Sequence, residues 1–290
     1  MKFSLKLIAS ALLLLLTPLA TADVTTATQA MENPNNPLLL MRTSRGEIFL
    51  ELFPESAPRN VANFIALAQA QVPLFDVTTG SMVQPNYYDG MTFHRVLKNY
   101  LIQAGAPRQP GAPVPEYQLD DEINARQFGL HEIKVLDALG KPHPWLNLQD
   151  SEGFQREVLV PLYRQLEIRT PEALETRQFA VSDALQEMTL LQAYQNQGYR
   201  YNDRLTSRVP LRGSIAMAGS GPNTNTAEFF ITMIDAPWLA GKATVIGHVV
   251  EGMEIVDRIN ASAAMRGTST TPSPNTATMI YDIRQVNSIP

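Results

Sequence analysis

Two blocks of short, alternating apolar segments, at residues 38–124 and 209–290, most constrain what this chain can fold into. Alternation with a period of two is typical of strands that bury one face and expose the other. The stretch between the blocks, residues 125–208, instead carries apolar residues at helical spacing. The sequence therefore predicts a β-rich fold that is interrupted by a helical insertion.

The first block opens with a predicted hairpin. Residues 38–43 and 47–53 alternate on either side of a serine-arginine-glycine turn, which is typical of two antiparallel strands. A proline then begins a predicted helix over residues 58–70, where apolar residues recur at helical spacing. Residues 93–107, FHRVLKNYLIQAGAP, alternate again and predict a further strand.

The second block predicts three strands, a helix and a closing strand. The strands are GSIAMA, EFFITMI and ATVIGHVV, the helix is EGMEIVDRIN, and the closing strand is TATMIYDIRQV. In the insertion, Thr170 as N-cap, Pro171 as first helical residue and Gly198 past the end predict one long helix. A second helix lies within FQREVLVPLYRQL, where Pro161 either breaks the helix or begins its second half.

The N-terminal residues 1–22 have the pattern of a signal peptide. Two lysines precede an apolar run at residues 7–16, which is too short to span a bilayer comfortably. The small residues Ala20 and Ala22 predict cleavage after Ala22, and an uncleaved membrane anchor is the alternative. We therefore expect a periplasmic protein without stable membrane insertion, in which residues 23–37 form a short flexible leader.

Composition excludes several classes of function. Cleavage would remove two lysines and lower the formal charge from −5 to −7, so the mature protein lacks the basic face that binds nucleic acid. The chain has no cysteine, which excludes disulfides, a thiolate nucleophile and a cysteine zinc site. His131 and His143 have no carboxylate or cysteine at metal-ligand spacing. We therefore expect neither a metal nor a cofactor.

Two segments combine apolar and polar residues in a way that is typical of a small-ligand site. One is the strand at residues 93–107, and the other is the segment 217–247, where a GPNTN turn leads into an aromatic strand. The candidates are Tyr100, Leu101, Met217, Phe230, Trp238 and Leu239 as the apolar lining, with Arg95 and Gln103 as polar groups. The alternative is that these aromatic residues are ordinary core residues, because aromatic side chains are commonly buried. Phe229 and Phe230 face opposite sides of a strand, so at least one of them is expected in the core.

Three pieces of sequence carry a resemblance to a known family. They are TSRGEIFLELFPESAPRNVANF, YYDGMTFHRVLKNYLIQAG and GSIAMAGSGPNTNTAEFFITMIDAPWLAGKATVIGHVVEGMEIVD. On these pieces, which stand in family order, the chain resembles the cyclophilins, the cyclophilin-type peptidyl-prolyl cis-trans isomerases. The resemblance covers residues 38–124 and 209–286, whereas residues 125–208 have no counterpart in the minimal family domain.

The resemblance implies a mainly β fold, a closed eight-stranded antiparallel barrel capped by two helices. It also implies an enzyme of the EC 5.2.1.8 class that accelerates rotation about Xaa–Pro bonds. Together with the signal-like residues 1–22, we expect this enzyme to act while exported proteins fold. Amide resonance creates the barrier, so a donor aimed at the prolyl nitrogen suffices and no nucleophile or cofactor is required. Arg95 matches the catalytic arginine, and a surface salt bridge is its alternative role.

The resemblance assigns the other site residues one by one. Gln103 matches the amide that contacts the substrate backbone, and Trp238 matches the tryptophan of cyclosporin-sensitive members. His94 is expected to be structural and to point away from Arg95. The positions that line the proline pocket are Tyr100, Leu101, Met217, Phe230 and Leu239, and those that contact residues before the proline are Ala218, Gly219 and Ser220.

Four positions depart from the family pattern. Tyr100 replaces a phenylalanine and Leu101 a methionine, and both keep the pocket apolar. Ala243 stands where a pocket-edge histidine is common, which opens one wall. Glu228 stands where glutamine is usual, and its carboxylate would either hold Arg95 in place or compete with substrate for the donors of Arg95. We therefore predict activity weaker than that of a typical member.

The helical insertion has two interpretations, an extra structural layer on the barrel or a docking surface for unfolded exported chains. The alternative function for the whole chain is a non-catalytic module that binds proline-containing segments, or a chaperone that uses the insertion. Glu228 and Ala243 favour this alternative. The residues that argue against it are Arg95, Gln103, Phe230 and Trp238. The expected partners are proline-containing segments of unfolded exported proteins and cyclosporin-like ligands, but no nucleic acid.

Overall fold

The computed structural model describes residues 23–107, 111–263 and 277–286. The predicted signal peptide at residues 1–22 lies outside this described part. Among the residues described, no helix is both long and apolar enough to cross a membrane.

Eight antiparallel strands form one sheet, in the order β10-β1-β2-β9-β7-β8-β6-β5, and a separate hairpin pairs β3 with β4. In chain order the strands are β1 (Leu38–Thr43), β2 (Gly46–Leu52), β3 (Leu74–Asp76), β4 (Ser81–Val83), β5 (Arg95–Leu97), β6 (Leu101–Ala104), β7 (Ser214–Met217), β8 (Phe229–Thr232), β9 (Val245–Glu251) and β10 (Ile280–Gln285). The prediction of a hairpin from β1 and β2 is confirmed to within one residue.

The helices occur in three regions, before the sheet, within the insertion and beside the core. They are α1 (Val24–Ala30), α2 (Pro58–Ala68), α3 (Ser151–Phe154), α4 (Val160–Gln165), α5 (Pro171–Thr176), α6 (Gln178–Glu187), α7 (Leu190–Gln197) and α8 (Met253–Ala263). Helices α2 and α8 were both predicted from sequence and are confirmed. Their buried residues, such as Phe64 and Ile259, pack in the core beneath the sheet.

The predicted closure of the sheet into a barrel is not made by strand pairing. Strands β5 and β10 are the edges of the sheet, and in the described residues they do not pair with each other. The chain just before β5 meets β10 instead, because β5 is only three residues long. The N–H of Phe93 donates to the carbonyl of Thr278 at 3.1 Å, and that of Ile280 to Met91 at 2.7 Å. The eight antiparallel strands are therefore confirmed, but as a curled sheet rather than a closed barrel.

Side-chain alternation separates the two faces of this sheet. Ile102, Phe229 and Ile231 are fully buried in the main core. Their neighbours Leu101 and Phe230 project to the opposite face and belong to a second apolar cluster. The outer face of β6 and β8 therefore also carries buried apolar side chains, whereas the outer face of an antiparallel sheet is commonly polar and solvated.

A remote carboxylate caps the first helix of the core. Glu122 accepts hydrogen bonds from the backbone N–H groups of Arg59 at 3.0 Å and Asn60 at 2.9 Å. These groups lie in the first turn of α2, where no intrahelical acceptor exists. The helix has no side-chain cap of its own, so a residue 62 positions later in the chain satisfies its N-terminus and adds a favourable charge there.

The insertion has an apolar core of its own. Leu130, Leu146, Leu190 and Tyr194 are each at most 1% exposed and form the centre of a cluster drawn from residues 125–201. This cluster is separate from the core beneath the sheet. Residues 125–208 therefore fold around their own buried side chains.

The long helix predicted from Pro171 to Gly198 is instead three helices. The chain leaves the helical conformation at Met188, whose ψ of 132° is extended. Met188 is buried and its carbonyl accepts from the N–H of Val135 at 3.0 Å, so a tertiary bridge interrupts the helix. Thr189 then begins α7 through a capping box with Gln192.

Pro161 begins the second half of its helix, which was one of the two predicted alternatives. A π-helical turn, Gln155–Leu159, joins α3 to α4 directly before it. Such a turn changes the hydrogen-bond pattern, and a proline in the first turn of a helix needs no N–H partner.

Residues 23–37, which we predicted to be a flexible leader, form α1 and a turn that pack on the sheet. Ala27 of α1 is fully buried in an apolar cluster with Leu38 and Phe49. The prediction was wrong because it rested on polar and proline-rich composition alone. The residue that holds this segment, Glu51, lies on β2.

The carboxylate of Glu51 is fully buried. It accepts from the backbone N–H groups of Glu32 at 2.9 Å and Asn33 at 3.0 Å, from Asn36 Nδ2 at 2.8 Å, and lies 2.9 Å from His248 Nε2. Burial raises the pKa of Glu51, but these hydrogen bonds together bring it below its ordinary value. An ionised Glu51 therefore attaches the N-terminal segment to the sheet.

We expect Glu51→Gln to lower the free energy of unfolding at neutral pH by about 1–3 kcal/mol, because an amide cannot accept every N–H that the carboxylate accepts. The lowered pKa means that the stabilisation is complete above the unfolded-state pKa and is lost as pH falls through the folded-state pKa. Urea unfolding at neutral and acidic pH measures both effects. Glu47→Gln on the same strand is the control, and an equal loss in both variants would contradict this role of Glu51.

Candidate active site

Three adjacent strands bring the polar site residues together. Arg95 on β5 lies opposite Gln103 on β6, and Gln103 lies opposite Phe230 on β8. Residues directly opposite one another project from the same face of an antiparallel sheet. The strand register therefore places a guanidinium, an amide and an aromatic ring side by side on the outer face.

A line of hydrogen bonds connects Arg95 to Glu228. Nη1 of Arg95 donates to Oε1 of Gln103 at 3.2 Å, and Nε2 of Gln103 donates to Oε2 of Glu228 at 2.7 Å. An ionised carboxylate only accepts, so it selects the amide orientation in which the Gln103 oxygen faces Arg95. Glu228 therefore acts on Arg95 through Gln103.

His94 is the second partner of Glu228. Its Nε2 lies 3.5 Å from Oε2 of Glu228. The contact with His94 lowers the pKa of Glu228, burial opposes this shift, and the hydrogen bond from Gln103 lowers the pKa further. Glu228 is therefore an ionised acceptor at neutral pH.

Two predictions about these residues are corrected. Among the described side chains, Glu228 accepts a hydrogen bond from Gln103 and lies 3.5 Å from His94, and it does not pair with Arg95. His94 was expected to face away from Arg95, yet it joins the same line of contacts. The alternation argument failed because β5 begins at Arg95, so His94 lies outside the strand to which the argument applies.

An apolar cluster lies next to this polar line on the outer face. Phe230 and Leu101 are buried in it at 7% and 5% exposure, and partly exposed side chains surround them. The predicted pocket residues in this cluster are Tyr100, Leu101, Ala218, Phe230, Leu239 and Ala243. Most of the predicted lining therefore does come together beside Arg95 and Gln103.

Met217 is the exception among the predicted lining residues. It is 2% exposed and belongs to the core beneath the sheet. Its cross-strand partner is Phe229, whereas Ala216 is the residue opposite Phe230. The register of β7 therefore puts Met217 on the inner face, and we correct the prediction that it lines the pocket.

Trp238 stands at the rim of the cluster. It lies in a short 3-10 turn, Pro237–Leu239, and its Nε1 donates to the hydroxyl of Tyr100 at 3.3 Å. The two rings are 6.1 Å apart and tilted by 33°. The hydroxyl group of Tyr100, which a phenylalanine would lack, therefore holds the indole of Trp238 in position by accepting this hydrogen bond.

The predicted contact segment Ala218, Gly219 and Ser220 forms an exposed edge beside Glu228. The N–H of Ala218 donates to the carbonyl of Glu228 at 2.9 Å, while Gly219 and Ser220 are exposed. A Cβ on Gly219 would lie 2.7 Å from Oγ1 of Thr224, so the tight turn requires glycine there. The turn that contains Thr224 therefore determines the position of residues 218–220.

Comparison with known proteins identifies the family. The family model of the cyclophilin type peptidyl-prolyl cis-trans isomerase/CLD matches residues 38–284. The chain belongs to this family. Cyclophilin-type isomerases are EC 5.2.1.8 enzymes, so the predicted enzyme class is confirmed.

Sequence relatives extend over most of this cyclophilin. Peptidyl-prolyl cis-trans isomerase B of Streptomyces anulatus is 27% identical over 224 residues, which cover 77% of this chain and 82% of that protein. Peptidyl-prolyl cis-trans isomerase ppi1 of Schizosaccharomyces pombe is 25% identical and covers 76% of this chain and 82% of its own length. A crystal structure of a Cryptosporidium parvum cyclophilin-type isomerase matches at 19% identity and a TM-score of 0.48, covering 87% of this chain and 99% of that one.

The candidate site also contains residues that were not predicted from the sequence. Ala216, Phe53 and Val245 are buried members of the apolar cluster. Ala216 could have been found, because Ala216 and Ala218 alternate with Met217 in the segment GSIAMA. Phe53 and Val245 carried no such signal, since only the sheet order β2-β9-β7-β8 brings them beside the pocket.

In the described residues, no group of three or more histidine, aspartate or glutamate side chains is placed to hold a metal ion. The line of contacts from Arg95 to Glu228 and the apolar cluster beside it offer hydrogen bonding and apolar contact. Both are suited to binding a peptide segment that carries a proline ring.

Proposed function

We propose that this cyclophilin catalyses rotation about Xaa–Pro bonds by a non-covalent mechanism in which Arg95 donates a hydrogen bond to the prolyl nitrogen. The observation that carries the proposal is the placement of Arg95 and Gln103 beside Phe230 on one face of the sheet. A charged donor and an apolar ring surface are what a twisted prolyl amide needs from an enzyme.

The physical reason lies in the amide bond. Rotation faces a barrier of roughly 18–20 kcal/mol, because resonance gives the C–N bond partial double-bond character. As the bond twists, the resonance is lost and the nitrogen gains a lone pair. A donor placed at that nitrogen interacts more strongly with the transition state than with the planar ground state, which is the condition for catalysis.

Arg95 can supply this donor because most of its N–H groups are available. A guanidinium has five N–H donors, and Gln103 is its one hydrogen-bonded side-chain partner among the described residues. Glu228 fixes the amide of Gln103, and the amide oxygen fixes the guanidinium. In this proposal Glu228 steadies Arg95 and does not compete with substrate for it.

The apolar cluster would hold the proline ring. Phe230 and Leu101 supply the floor, and Tyr100, Trp238 and Leu239 the rim. Ala243 leaves one wall open, and we propose that this lowers affinity relative to members with a histidine there. Ala218, Gly219 and Ser220 would lie along the residues before the proline, since they form the exposed edge next to Glu228.

We further propose that the substrates are proline-containing segments of unfolded exported proteins, in the periplasm. The support is the signal-like pattern of residues 1–22. Cyclosporin-like ligands are proposed partners on the ground of Trp238, which stands at the pocket rim. The acidic composition supports protein rather than nucleic acid as the partner.

We expect Arg95→Ala to lower kcat/KM on a prolyl peptide by about 10²-fold, the usual effect of removing one donor to a developing charge. A protease-coupled isomerisation assay measures it. Arg59→Ala, which removes another exposed guanidinium, should leave the rate unchanged. Equal rates for the native protein and Arg95→Ala would contradict the mechanism. Peptide binding without acceleration by the native protein would favour the non-catalytic alternative.

We expect Glu228→Gln to reduce turnover by about fivefold, because a neutral amide makes a weaker bond to Gln103 and no longer selects its orientation. The same assay measures the change, with Glu254→Gln on the exposed face of α8 as the control. A turnover above that of the native protein would contradict this account and would indicate that Glu228 competes with substrate for Arg95.

We expect the chain made in a bacterial host to accumulate in the periplasm with Asp23 as its first residue, because Ala20 and Ala22 form a cleavage site. N-terminal sequencing of the periplasmic fraction measures this. Ala22→Tyr should retain the precursor. Recovery of the native chain from the cytoplasm with residues 1–22 intact would contradict the proposed localisation.

A further inference from the structure

One turn of the chain touches both the proline pocket and the insertion. We name residues 239–243 the pocket turn. At its two ends Leu239 and Ala243 belong to the apolar cluster of the pocket. Between them, Ala240 and Gly241 are buried. The residues that bury this part of the turn come from the insertion, through three kinds of contact.

The first contact is a hydrogen bond to the backbone of the turn. The hydroxyl of Tyr201 donates to the carbonyl of Gly241 at 2.8 Å. A buried carbonyl without a partner loses the hydrogen bond that water would have provided, so this bond favours one position of the turn. Tyr201 lies in residues 125–208, the stretch predicted to be an insertion, and packs against its apolar core.

The second contact is steric. Gly241 has a φ of +85°, and a Cβ on this residue would lie 2.4 Å from Cδ1 of Leu130 and 3.3 Å from Cδ2 of Tyr194. Leu130 and Tyr194 are both fully buried in the core of the insertion. The backbone of the turn therefore rests directly on the insertion core, at a distance that only glycine permits.

The third contact is made by Lys242. Its Nζ donates to the carbonyl of Leu146 at 3.3 Å and lies 4.6 Å from the centre of the Tyr194 ring. Burial lowers the pKa of Lys242, and the carboxylate of Glu157 opposes that shift. A lysine at this position in an exposed turn would point to solvent, whereas here its amine lies within the insertion.

The insertion is itself well fixed where it meets the turn. The hydroxyl of Tyr194 donates to the carbonyl of Trp145 at 2.9 Å. Trp145 belongs to the 3-10 turn Pro144–Leu146, whose Cα atoms come within 8 Å of those of the Pro237–Leu239 turn that carries Trp238. The pocket rim therefore packs against a second short turn that is anchored in the insertion core.

We infer that the insertion sets the position of the pocket wall, and that Tyr201, Gly241 and Lys242 are positioning residues for substrate binding. They do not reach the reacting amide; they act through Leu239, Ala243 and Trp238. This inference rests on the proposed function of the pocket. It differs from both sequence interpretations of the insertion, because the insertion is neither a passive layer nor only a docking surface.

The decisive variant is Tyr201→Phe, which removes one hydroxyl and keeps the ring. We expect KM for a prolyl peptide to rise about fivefold, the equivalent of one lost hydrogen bond, with kcat changed less than about twofold. Tyr163→Phe, at a half-exposed tyrosine of α4, is the matched control and should leave both constants unchanged. An unchanged KM in a folded Tyr201→Phe protein would overturn the inference.

Gly241→Ala tests the same contact by changing the pocket turn instead of the insertion. The added methyl group would collide with the buried Leu130, and alanine is strained at a φ of +85°, so we expect the turn to shift and KM to rise more than in Tyr201→Phe. An unchanged KM in this variant would also count against the inference. If Gly241→Ala does not fold, Tyr201→Phe decides the question alone.

A binding measurement separates this inference from the proposed mechanism. Trp145→Phe leaves Trp238 as the one tryptophan, so its fluorescence reports peptide binding even in an Arg95→Ala background that does not turn over. We expect Tyr201→Phe to raise the Kd about fivefold in that background as well. If Arg95→Ala keeps full activity, the mechanism fails while this shift can still be measured. If Kd does not shift, the inference fails while the mechanism stands.

Discussion

The backbone hydrogen bonds between β6 and β8 place Gln103 opposite Phe230 and Ile102 opposite Ile231. This register decides which side chains enter the core and which face outwards. A slip of one residue would bury Gln103 and expose Ile102, because alternate residues of a strand point to opposite faces. The buried core residues of these strands, Ile102, Phe229 and Ile231, therefore fix the outer-face site as firmly as the site's own contacts do. The proposed pocket and the main core lie on opposite faces of the same sheet.

Buried carboxylates then connect segments that the sheet alone would leave apart. Glu51 holds the N-terminal segment, Glu122 caps α2, and Asp121 accepts from the N–H of Asn223 at 2.7 Å in the turn beside the site. A buried charge is costly unless hydrogen bonds surround it, so each carboxylate strongly favours one arrangement of its donors. In a chain without cysteine, these contacts tie distant segments to the sheet.

The proposed site depends on two groups of contacts. On one side, Glu228 and Gln103 orient the guanidinium of Arg95 through hydrogen bonds. On the other, the insertion core positions the pocket turn and with it the wall that would hold the proline ring. The first group of contacts orients the hydrogen-bond donor Arg95, and the second positions the wall of the pocket that would bind the proline ring. The insertion thus contributes to the proposed site through the pocket turn.

The sequence by itself determined the two β blocks, the helical character of the insertion and the family, because local periodicity or motifs carry each of them. It also predicted most of the side chains that meet in the apolar cluster proposed as the proline pocket. It placed Met217 and His94 on the wrong faces, since the register of β7 and the start of β5 are decided by pairing with distant strands. It predicted one helix where α5–α7 are three, because the hydrogen bond from Val135 to Met188 overrides helix propensity at the end of α6. Only the tertiary structure decided that Glu228 contacts Gln103, that Glu51 holds the leader, and that the insertion touches the pocket turn. These contacts join residues far apart in the chain, and no local pattern records which of them meet.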